Sequence, residues 1–336
     1  MALAAPALED AAVTRILVRA PNWIGDVVLS LGAVRDLRRN FPDARIVVLA
    51  RDSVRELYRA VPEVDATLAA GDFAATVESL GSFDAALLLT NSLRSALEVF
   101  AARIPERWGY ATEGRGPLLT RAAAVPSDVR GKSEVYYYRA MLAGVGMTVS
   151  AEPDTSLACP EEWRARGRAL LGDARARWVG LNPGAAFGKA KRWLPERYAA
   201  VAERLGRRAG ARVAILGTAT ERPLAERIAA LLPTPPRVLC GETDLSGLAG
   251  VLSELKLLIT NDSGPMHLGS ALGTPTLAIF GPTDWRETAP RGARSAIVRE
   301  PVACSPCKLR ECPIDHRCMR EVTVERVSTA AQELFA

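Results

Sequence analysis

The sequence predicts an α/β protein of two doubly wound domains, each a parallel sheet with helices on both faces. Short, almost continuously apolar runs alternate with longer segments whose apolar residues recur three and four positions apart. This alternation occurs twice, on either side of an extended, proline-bearing segment at residues 151–163. A length of 336 residues suits two domains at roughly 150 residues each. We therefore expect an N-terminal domain at residues 13–155, a C-terminal domain at 160–320 and a last helix at 321–336.

The period of the apolar residues predicts the strands in order. In the N-terminal series, residues 15–20 (RILVRA) precede a helical pattern at residues 26–41, and residues 44–50 and 84–90 each precede another. The alternation lapses between residues 109 and 146, where glycines and prolines are followed by one helical pattern. In the C-terminal series the main strand runs are residues 177–184, 211–217, 255–262 and 274–281. Parallel α/β folds bind ligands where such strands end.

Composition restricts the class of protein. Lys plus Arg is 43 against 38 for Asp plus Glu, a net charge of +5, and the basic residues are scattered. Because only 6% of residues are aromatic, the sequence lacks the basic and aromatic face expected of a nucleic-acid partner. No apolar run approaches the ~20 residues of a transmembrane helix. Residues 1–15 contain Glu9 and Asp10 and no basic start, so we interpret them as a flexible leader of a cytoplasmic protein.

The known nucleotide-binding fingerprints are absent. No strand is followed by G-x-G-x-x-G, which argues against a dinucleotide dehydrogenase, and residues 184–191 (GAAFGKAK) do not meet the P-loop pattern. That loop nevertheless contains Lys189 and Lys191, with Arg192 next to it, and its small residues allow a diphosphate to approach the backbone. The alternative is a solvated basic loop.

The segment LLITNDSGPMHLGSALG, residues 257–273, gives the strongest local signal. A strand ends, polar residues turn the chain, and a helix begins near Asp262, Ser263 and Gly264, with His267 one turn later. Free backbone N–H groups and the helix dipole at this point form an anion site. An ordinary capped helix with a packed histidine is the alternative.

Two more strand ends carry suitable polar groups. Glu221 follows a glycine turn, where its carboxylate is suited to the hydroxyls of a ribose, and Gly281, Thr283 and Asp284 follow the last long strand. Each is also compatible with plain turn chemistry. Four such loops along one sheet edge predict a nucleotide cleft.

Four cysteines form a cluster near the C-terminus. Cys304, Cys307, Cys312 and Cys318, with His316 among them, have the residue types of a structural zinc site. Their spacing matches no familiar zinc module, so a reduced, partly buried thiol cluster is the alternative.

One carboxylate interrupts an apolar stretch near the N-terminus. In RAPNWIGDVVLS, residues 19–30, Asn22, Trp23 and Asp26 lie between the first strand and the first helix. This position suits either chemistry at a sheet edge or an ordinary helix N-cap. Trp23 suits either a ligand contact or the core.

Four segments together carry a family resemblance over nearly the whole chain. They are PNWIGDVVLSLGAVRDLRRNFPDARIVVLA, NPGAAFGKAKRWLPERYAAVA, TNDSGPMHLGSALGTPTLAIFGPTD and CSPCKLRECPIDHRCM. In this order they resemble glycosyltransferase family 9, the lipopolysaccharide heptosyltransferases. The resemblance implies a GT-B fold, in which two Rossmann-like domains face each other across a cleft. Ala186 and Phe187 differ from relatives that transfer the first heptose, which favours transfer of the second.

The resemblance also implies an activity. Family members transfer L-glycero-D-manno-heptose from ADP-heptose to the heptose/Kdo inner core of lipopolysaccharide, with inversion and without a catalytic metal or cofactor. The partners would be ADP-heptose and a lipid-linked acceptor, Kdo2-lipid A bearing heptose, and no nucleic acid. The protein would then make peripheral contact with the cytoplasmic face of the inner membrane, with the acceptor on the N-terminal domain and ADP-heptose on the C-terminal domain.

Roles follow residue by residue from the resemblance. The family's catalytic carboxylate falls on Asp26 and its phosphate-binding lysine on Lys191. The ribose-side glutamate falls on Glu221, and the start of the pyrophosphate-binding helix on Asp262, Ser263, Gly264 and His267.

Further residues complete the predicted site. Gly281 and Thr283 belong to the nucleotide side, and Asn22, Trp23 and Asn91 to the acceptor side. Four cations are candidates for acidic Kdo or lipid phosphate: Arg94, Arg103, Arg107 and Lys132.

Two other functions remain compatible with the sequence. One is a relative that uses another nucleotide sugar or acceptor, including first-heptose transfer. The other is a nucleotide-binding protein without catalysis, which would have no need of the carboxylate at Asp26.

Overall fold

The computed structural model of the chain describes residues 13–173 and 175–335. Residues 1–12 of the predicted leader lie outside the described residues, and the first strand already begins at Arg15. The chain divides into two compact units, of which the first ends at Thr155 and the second begins at Ser156. Each unit contains one six-stranded parallel sheet with helices, so the predicted α/β class is confirmed. Among the described residues, no helix has the length and apolar character needed to cross a bilayer.

Unit 1 has the strand order β3-β2-β1-β4-β5-β6. Its strands are β1 Arg15–Arg19, β2 Arg45–Ala50, β3 Ala66–Ala69, β4 Ala85–Leu88, β5 Glu106–Tyr110 and β6 Arg121–Ala123. Its helices are α1 Ile24–Asn40, α2 Asp52–Arg55, α3 Phe73–Ser79, α4 Leu93–Ala101 and α5 Glu134–Gly144. The central strands are buried along almost their whole length because helices cover both faces of the sheet.

Unit 2 has the strand order β12-β11-β10-β7-β8-β9. Its strands are β7 Trp178–Asn182, β8 Arg212–Ile215, β9 Arg237–Val238, β10 Leu257–Asn261, β11 Thr276–Phe280 and β12 Ser295–Arg299. Its helices are α6 Glu161–Leu171, α7 Pro195–Ala209, α8 Arg222–Ala229, α9 Leu245–Glu254, α10 Gly264–Ala271, α11 Trp285–Thr288, α12 Arg317–Arg320 and α13 Val324–Phe335.

Two expectations about the segment between the series are wrong. The stretch at residues 109–146, where the alternation is expected to lapse, contains the end of β5 and all of β6, and these two strands extend the first sheet. The linker is also shorter than predicted, because α6 begins at Glu161. Charged residues in β5, such as Glu106 and Arg107, hide the apolar pattern of a strand near the edge of its sheet.

The strand orders create one switch point in each sheet. In unit 1 the order reverses around β1, so the loops that follow β1 and β4 diverge to opposite faces of the sheet. In unit 2 the same happens at β7 and β10, where Asn182 pairs with Thr260. A crevice forms where neighbouring loops diverge, and this is the usual ligand site of an open α/β sheet.

Two glycines allow α6 and α9 to pack in unusually close contact. A Cβ atom on Gly250 would overlap the carbonyl oxygen of Trp163, and a Cβ atom on Gly167 would overlap the backbone of Gly250. The helices therefore meet backbone to backbone, which anchors the first helix of unit 2.

We expect Gly250→Ala to destabilise the protein by roughly 2 kcal/mol, because added volume at a closed backbone contact forces the helices apart. Gly206→Ala, in the last turn of α7, is the matched control. Its new Cβ would lie an ordinary 3.5 Å from its nearest neighbour, the carbonyl oxygen of Ala211. Helix propensity should then raise stability by up to about 1 kcal/mol. Urea unfolding followed by circular dichroism measures both, and equal effects of the two substitutions would contradict the close packing.

Candidate functional site

Four loops leave the carboxyl ends of neighbouring strands in unit 2, and we call them together the β7–β10 edge. The strands stand in the order β11, β10, β7 and β8, so their loops are adjacent. These loops and the helix turns that follow them contain every predicted residue of the nucleotide side: Lys191, Glu221, Asp262, Ser263, Gly264, His267, Gly281 and Thr283.

A lysine and two side chains from other loops meet at this edge. Lys191 Nζ lies 2.7 Å from Asp262 Oδ2, and Thr283 Oγ1 donates a hydrogen bond of 2.6 Å to the same oxygen. Lys191 Nζ also lies 4.8 Å from the centre of the Phe187 ring. The carboxylate is almost fully buried, with 5% of its side chain exposed. The ammonium is therefore held in one position before any ligand arrives.

The start of α10 is not capped as predicted. Ser263 occupies the N-cap position with extended backbone, but no side chain accepts a hydrogen bond from the first turn. Ser263 Oγ instead lies 3.0 Å from Asn182 Nδ2 and 3.1 Å from Thr260 Oγ1. The N–H groups at the start of α10, beginning at Gly264, are thus left without a side-chain cap. This arrangement is typical of helix starts that bind anions.

His267 lies in the first turn of α10 and is 95% buried. Burial lowers its pKa from 6.5 to about 4, against the raising effect of the nearby Asp262 carboxylate and with a further lowering by Lys191. The imidazole is therefore neutral near pH 7. It can serve an anion as a hydrogen-bond donor but not as a cation.

Glu221 is held by its own turn. Its Oε2 accepts hydrogen bonds from Thr218 N at 2.9 Å and Thr218 Oγ1 at 3.1 Å, which forms a capping box. Its Oε1 lies 3.7 Å from a guanidinium nitrogen of Arg192. Gly184 has to be glycine here, because a Cβ atom at that position would overlap the Glu221 carboxylate. The carboxylate therefore sits against the loop after β7.

Asn261 is a fully buried residue that the sequence reasoning missed. Its Nδ2 donates to the carbonyl oxygen of Pro183 at 2.7 Å. Its Oδ1 accepts from Trp193 N at 3.0 Å and from Tyr198 Oη at 2.9 Å. One amide thus ties the end of β10 to both ends of the loop that contains Lys191. The signal available in the sequence was a polar residue that ends an otherwise apolar strand run.

The sequence also did not reveal that the cysteine segment, residues 304–318, contacts the loop that contains Lys191. His316 Nε2 lies 2.7 Å from the carbonyl oxygen of Ala190, so this nitrogen carries the proton. Ala190 N donates a hydrogen bond of 3.0 Å to the carbonyl oxygen of Arg310. The Arg310 guanidinium lies over the Phe187 ring, 5.4 Å from its centre. The segment therefore holds the turn at Lys189–Lys191 from the outside.

The same segment also packs on the loop after β11. Lys308 N donates a hydrogen bond of 2.8 Å to the carbonyl oxygen of Pro282. Ser305 Oγ donates one of 2.5 Å to the carbonyl oxygen of Gly281. A Cβ atom on Gly281 would lie 3.1 Å from Cys318 Sγ. The absence of a side chain at Gly281 thus makes room for the cysteine segment.

All four cysteines of the segment are free thiols. Across residues 13–173 and 175–335, no three His, Cys, Asp or Glu side chains are grouped so as to hold a metal ion. Burial, with the neighbouring Cys304, Cys307 and Cys312, raises the pKa of Cys318 to about 11.

In unit 1, Asp26 lies at the switch point between β1 and β4. It belongs to the first turn of α1, whose N-cap residue is Trp23, so the alternative that Asp26 is the N-cap is wrong. The buried Tyr138 of α5 is close by: burial raises its pKa well above 10, and the Asp26 charge raises it further. The neutral phenol of Tyr138 and the carboxylate of Asp26 therefore lie near each other at the switch point.

The other predicted residues of unit 1 lie along the same edge. Trp23 is 64% exposed, so it is not a core residue. Asn91 Oδ1 accepts a 2.9 Å hydrogen bond from Tyr137 Oη. Asn22 Oδ1 and Thr90 Oγ1 are buried atoms that have no hydrogen-bond partner in the described part of the chain. Unused polar atoms at a switch point suit a ligand with hydroxyl groups. Thr90 was not predicted.

The four candidate cations have different surroundings. Arg94 pairs with Glu98 at 2.8 Å, and Lys132 pairs with Asp128 at 3.7 Å. Arg107 donates to backbone carbonyls, and Arg103 is exposed just beyond the end of α4. Two of these four cations are therefore paired with a neighbouring carboxylate.

Comparison with known proteins identifies relatives along most of the chain. The family described as glycosyltransferase family 9 (heptosyltransferase) matches residues 75–317. A lipooligosaccharide heptosyltransferase 2 from Haemophilus influenzae is 32% identical over 308 residues, which cover 84% of this chain and 88% of the relative. A lipopolysaccharide heptosyltransferase 2 from Escherichia coli K12 is 31% identical over 308 residues, which cover 85% of this chain and 88% of the relative.

A solved structure gives the same result. The ADP-heptose LPS heptosyltransferase II of E. coli superimposes with a TM-score of 0.83 at 28% identity, covering 96% of this chain and 98% of that one. The likeness extends over both units and confirms the predicted GT-B class. By its sequence and its fold, this chain belongs to glycosyltransferase family 9, the heptosyltransferases, and is a glycosyltransferase.

Proposed function

We propose that this chain transfers L-glycero-D-manno-heptose from ADP-heptose to the inner core of lipopolysaccharide, with inversion and without a catalytic metal. The observation that carries the proposal is the contact of Lys191 with Asp262 beside the uncapped start of α10. A fixed ammonium and free N–H groups at a switch point suit the diphosphate of a nucleotide sugar. The relatives from Haemophilus influenzae and Salmonella typhimurium are named as lipooligosaccharide and lipopolysaccharide heptosyltransferases, which supports the sugar and the acceptor.

In the proposed reaction, a hydroxyl oxygen of the acceptor attacks the anomeric carbon of heptose. The bond from that carbon to the β-phosphate oxygen breaks, ADP leaves with the electron pair, and the configuration inverts. Asp26 takes the proton from the attacking hydroxyl. Lys191 and the first N–H groups of α10 stabilise the charge that develops on ADP, which is the task a metal would otherwise have.

Residues of unit 1 would orient the acceptor. Asn22 Oδ1 and Thr90 Oγ1 have no hydrogen-bond partner among the residues that the structure describes, and they are suited to hydroxyl groups of the acceptor sugar. The exposed Trp23 ring offers an apolar face against which a sugar ring can pack. Asn91 is fixed by Tyr137 and would support this arrangement.

The decisive assay is transfer from ADP-heptose to Kdo2-lipid A that bears one heptose, compared with Kdo2-lipid A that bears none. We expect transfer to the first acceptor to be faster, and turnover to persist in EDTA. Transfer to neither acceptor would refute the proposal. Loss of turnover in EDTA that Mg²⁺ or Mn²⁺ restores would refute its metal-independent part.

The role of Lys191 predicts a defect in donor binding. Lys191→Met removes a charge-assisted bond and leaves Asp262 unpaired near the diphosphate, so ADP-heptose should bind roughly 10- to 100-fold more weakly. Lys256→Met is the control, because Lys256 is exposed at the opposite, amino end of β10. Calorimetry on the full chain measures both affinities. Equal affinities for the two variants would exclude Lys191 from the donor site.

The role of Asp26 predicts a defect in chemistry alone. Asp26→Asn keeps the size of the side chain, so stability should change by no more than about 1 kcal/mol, the usual size of a helix-dipole contribution. Turnover should fall by ~10²- to 10⁴-fold, the typical contribution of a general base. ADP-heptose affinity should stay near that of the wild type.

The control for Asp26 is Asp52→Asn, the same change in the first turn of α2, which follows the neighbouring strand β2. Its turnover should match the wild type. A folded Asp26→Asn variant with near wild-type turnover would show that Asp26 is not the base.

A further inference from the structure

The solvent-facing side of α4 is apolar. Leu93, Leu97 and Phe100 have 42%, 38% and 49% of their surfaces exposed. At 3.6 residues per turn, these three positions fall within roughly 60° of arc, so they form one stripe. Phe73, at the start of the adjoining α3, is 41% exposed. Arg94 links α4 to the loop before α3, because its guanidinium donates a hydrogen bond of 3.1 Å to the carbonyl oxygen of Gly71.

The inward side of α4 carries two polar side chains beside the fully buried core residues Ala96 and Val99. Ser95 and Glu98 are each only 1% exposed. The Glu98 carboxylate lies 2.8 Å from Arg94 Nε and 3.5 Å from Arg19 Nε. A helix at a water-facing surface normally turns its Leu and Phe side chains inward. The outward position of Leu93, Leu97 and Phe100 therefore indicates that the outer face of α4 meets an apolar environment.

Guanidinium groups border the apolar stripe. Arg103 is exposed just beyond the helix C-terminus, and the Arg107 guanidinium lies over the Phe100 ring, 5.4 Å from its centre. Arg107 donates to the carbonyl oxygens of Ile104 and Leu118. Within the described ranges, neither arginine is in an ion pair, so neither charge is neutralised by a carboxylate. Leu93, Leu97, Phe100, Arg103 and Arg107 together are the α4 face.

The α4 face begins at the edge of the sheet that contains Asp26. Strand β4 pairs with β1 in parallel, so α4 and α1 start at the same sheet edge. Leu93 is two residues beyond Asn91, and Phe100 lies about 10 Å further along the helix at 1.5 Å per residue. A partner that covers this face is therefore adjacent to the proposed acceptor residues.

We propose that the α4 face docks on the surface of an anionic phospholipid bilayer, with Leu93, Leu97 and Phe100 at the level of the headgroups and Arg103 and Arg107 on lipid phosphates. A short helix with an apolar stripe and a basic rim has the chemistry of an interfacial helix. A second copy of the chain suits this face less well, because stable dimers bury about 800 Å² per partner, far more than three side chains offer. The inference rests on the proposed function in one respect: a lipid-linked acceptor is presented at such a surface.

The test is flotation of the full chain with vesicles of phosphatidylethanolamine and phosphatidylglycerol, without donor or acceptor. We expect the double variant Leu97→Gln, Phe100→Gln to bind at least about tenfold more weakly, because it loses the apolar part of the contact. Arg103→Gln should weaken binding and flatten its dependence on salt. The control is Leu231→Gln, which changes a 54% exposed leucine in unit 2 and should bind like the wild type.

A second variant keeps the test independent of the folding of the first. Leu97→Trp places a fluorophore on the face, and its emission should shift to the blue with anionic vesicles relative to the wild-type protein. Vesicle binding that is unchanged in the double variant, or no shift for Leu97→Trp, would overturn the proposal. Concentration-dependent dimers that the double variant abolishes would assign the face to a second copy of the chain and overturn it as well.

Failure of the docking surface and failure of the proposed activity have different readouts. If the chain transfers heptose to a delipidated, water-soluble acceptor but does not bind vesicles, the docking proposal is refuted and the proposed activity stands. If the chain binds vesicles through the α4 face but transfers no heptose, the proposed activity is refuted and the docking proposal stands. With the soluble acceptor, the double variant should turn over like the wild type. With the acceptor in vesicles, its turnover should fall by about the same factor as its vesicle binding.

Discussion

The geometry of the β7–β10 edge depends on the buried side-chain amide of Asn261. Its two ends bond to Pro183, Trp193 and Tyr198, so one side chain fixes where the loop after β7 leaves the sheet and where it returns. Such a buried amide is costly unless all its bonds are made, and a network with all bonds made is rigid. Lys191 lies inside the loop that this amide closes. Its position is therefore set from the core by this amide and from the outside by the cysteine segment.

The parallel sheet explains why the sequence already located this edge. Strands that are buried on both faces are continuous apolar runs, so the point where polar residues begin marks a carboxyl end. Lys191, Asp262 and Thr283 all follow such points, and the structure joins them within 2.7 Å. Asp26 was located in the same way, after the first run. The pairing of side chains across loops was beyond reach, because residues 191 and 262 are 71 positions apart.

The parts that the sequence did not reveal have identifiable physical causes. Strand β5 contains Glu106 and Arg107, whose charges are tolerated near the edge of a sheet and break the apolar pattern. The N-cap of α1 is Trp23, a poor capping residue, so the usual helix-start signal pointed to Asp26 instead. In the cysteine segment, the bonds to the Lys191 turn involve backbone oxygens and His316. The thiols suggested a metal site. The contacts with the Lys191 turn are instead made by His316 and by backbone groups, which the spacing of the cysteines does not indicate.

The pairing of Lys191 with Asp262 has a consequence for how this edge would bind a diphosphate. An isolated ammonium that is only 13% exposed would be costly to keep charged, and the carboxylate offsets that cost while it fixes the position of Nζ. Because the pair is nearly neutral, it offers little long-range attraction to an anion. Affinity must then come from short-range geometry: one oriented ammonium, the neutral His267 and the N–H groups at Gly264. A site of this kind gains most when negative charge concentrates on the oxygen next to it, as it does on a departing phosphate, so it favours the transition state over the bound donor.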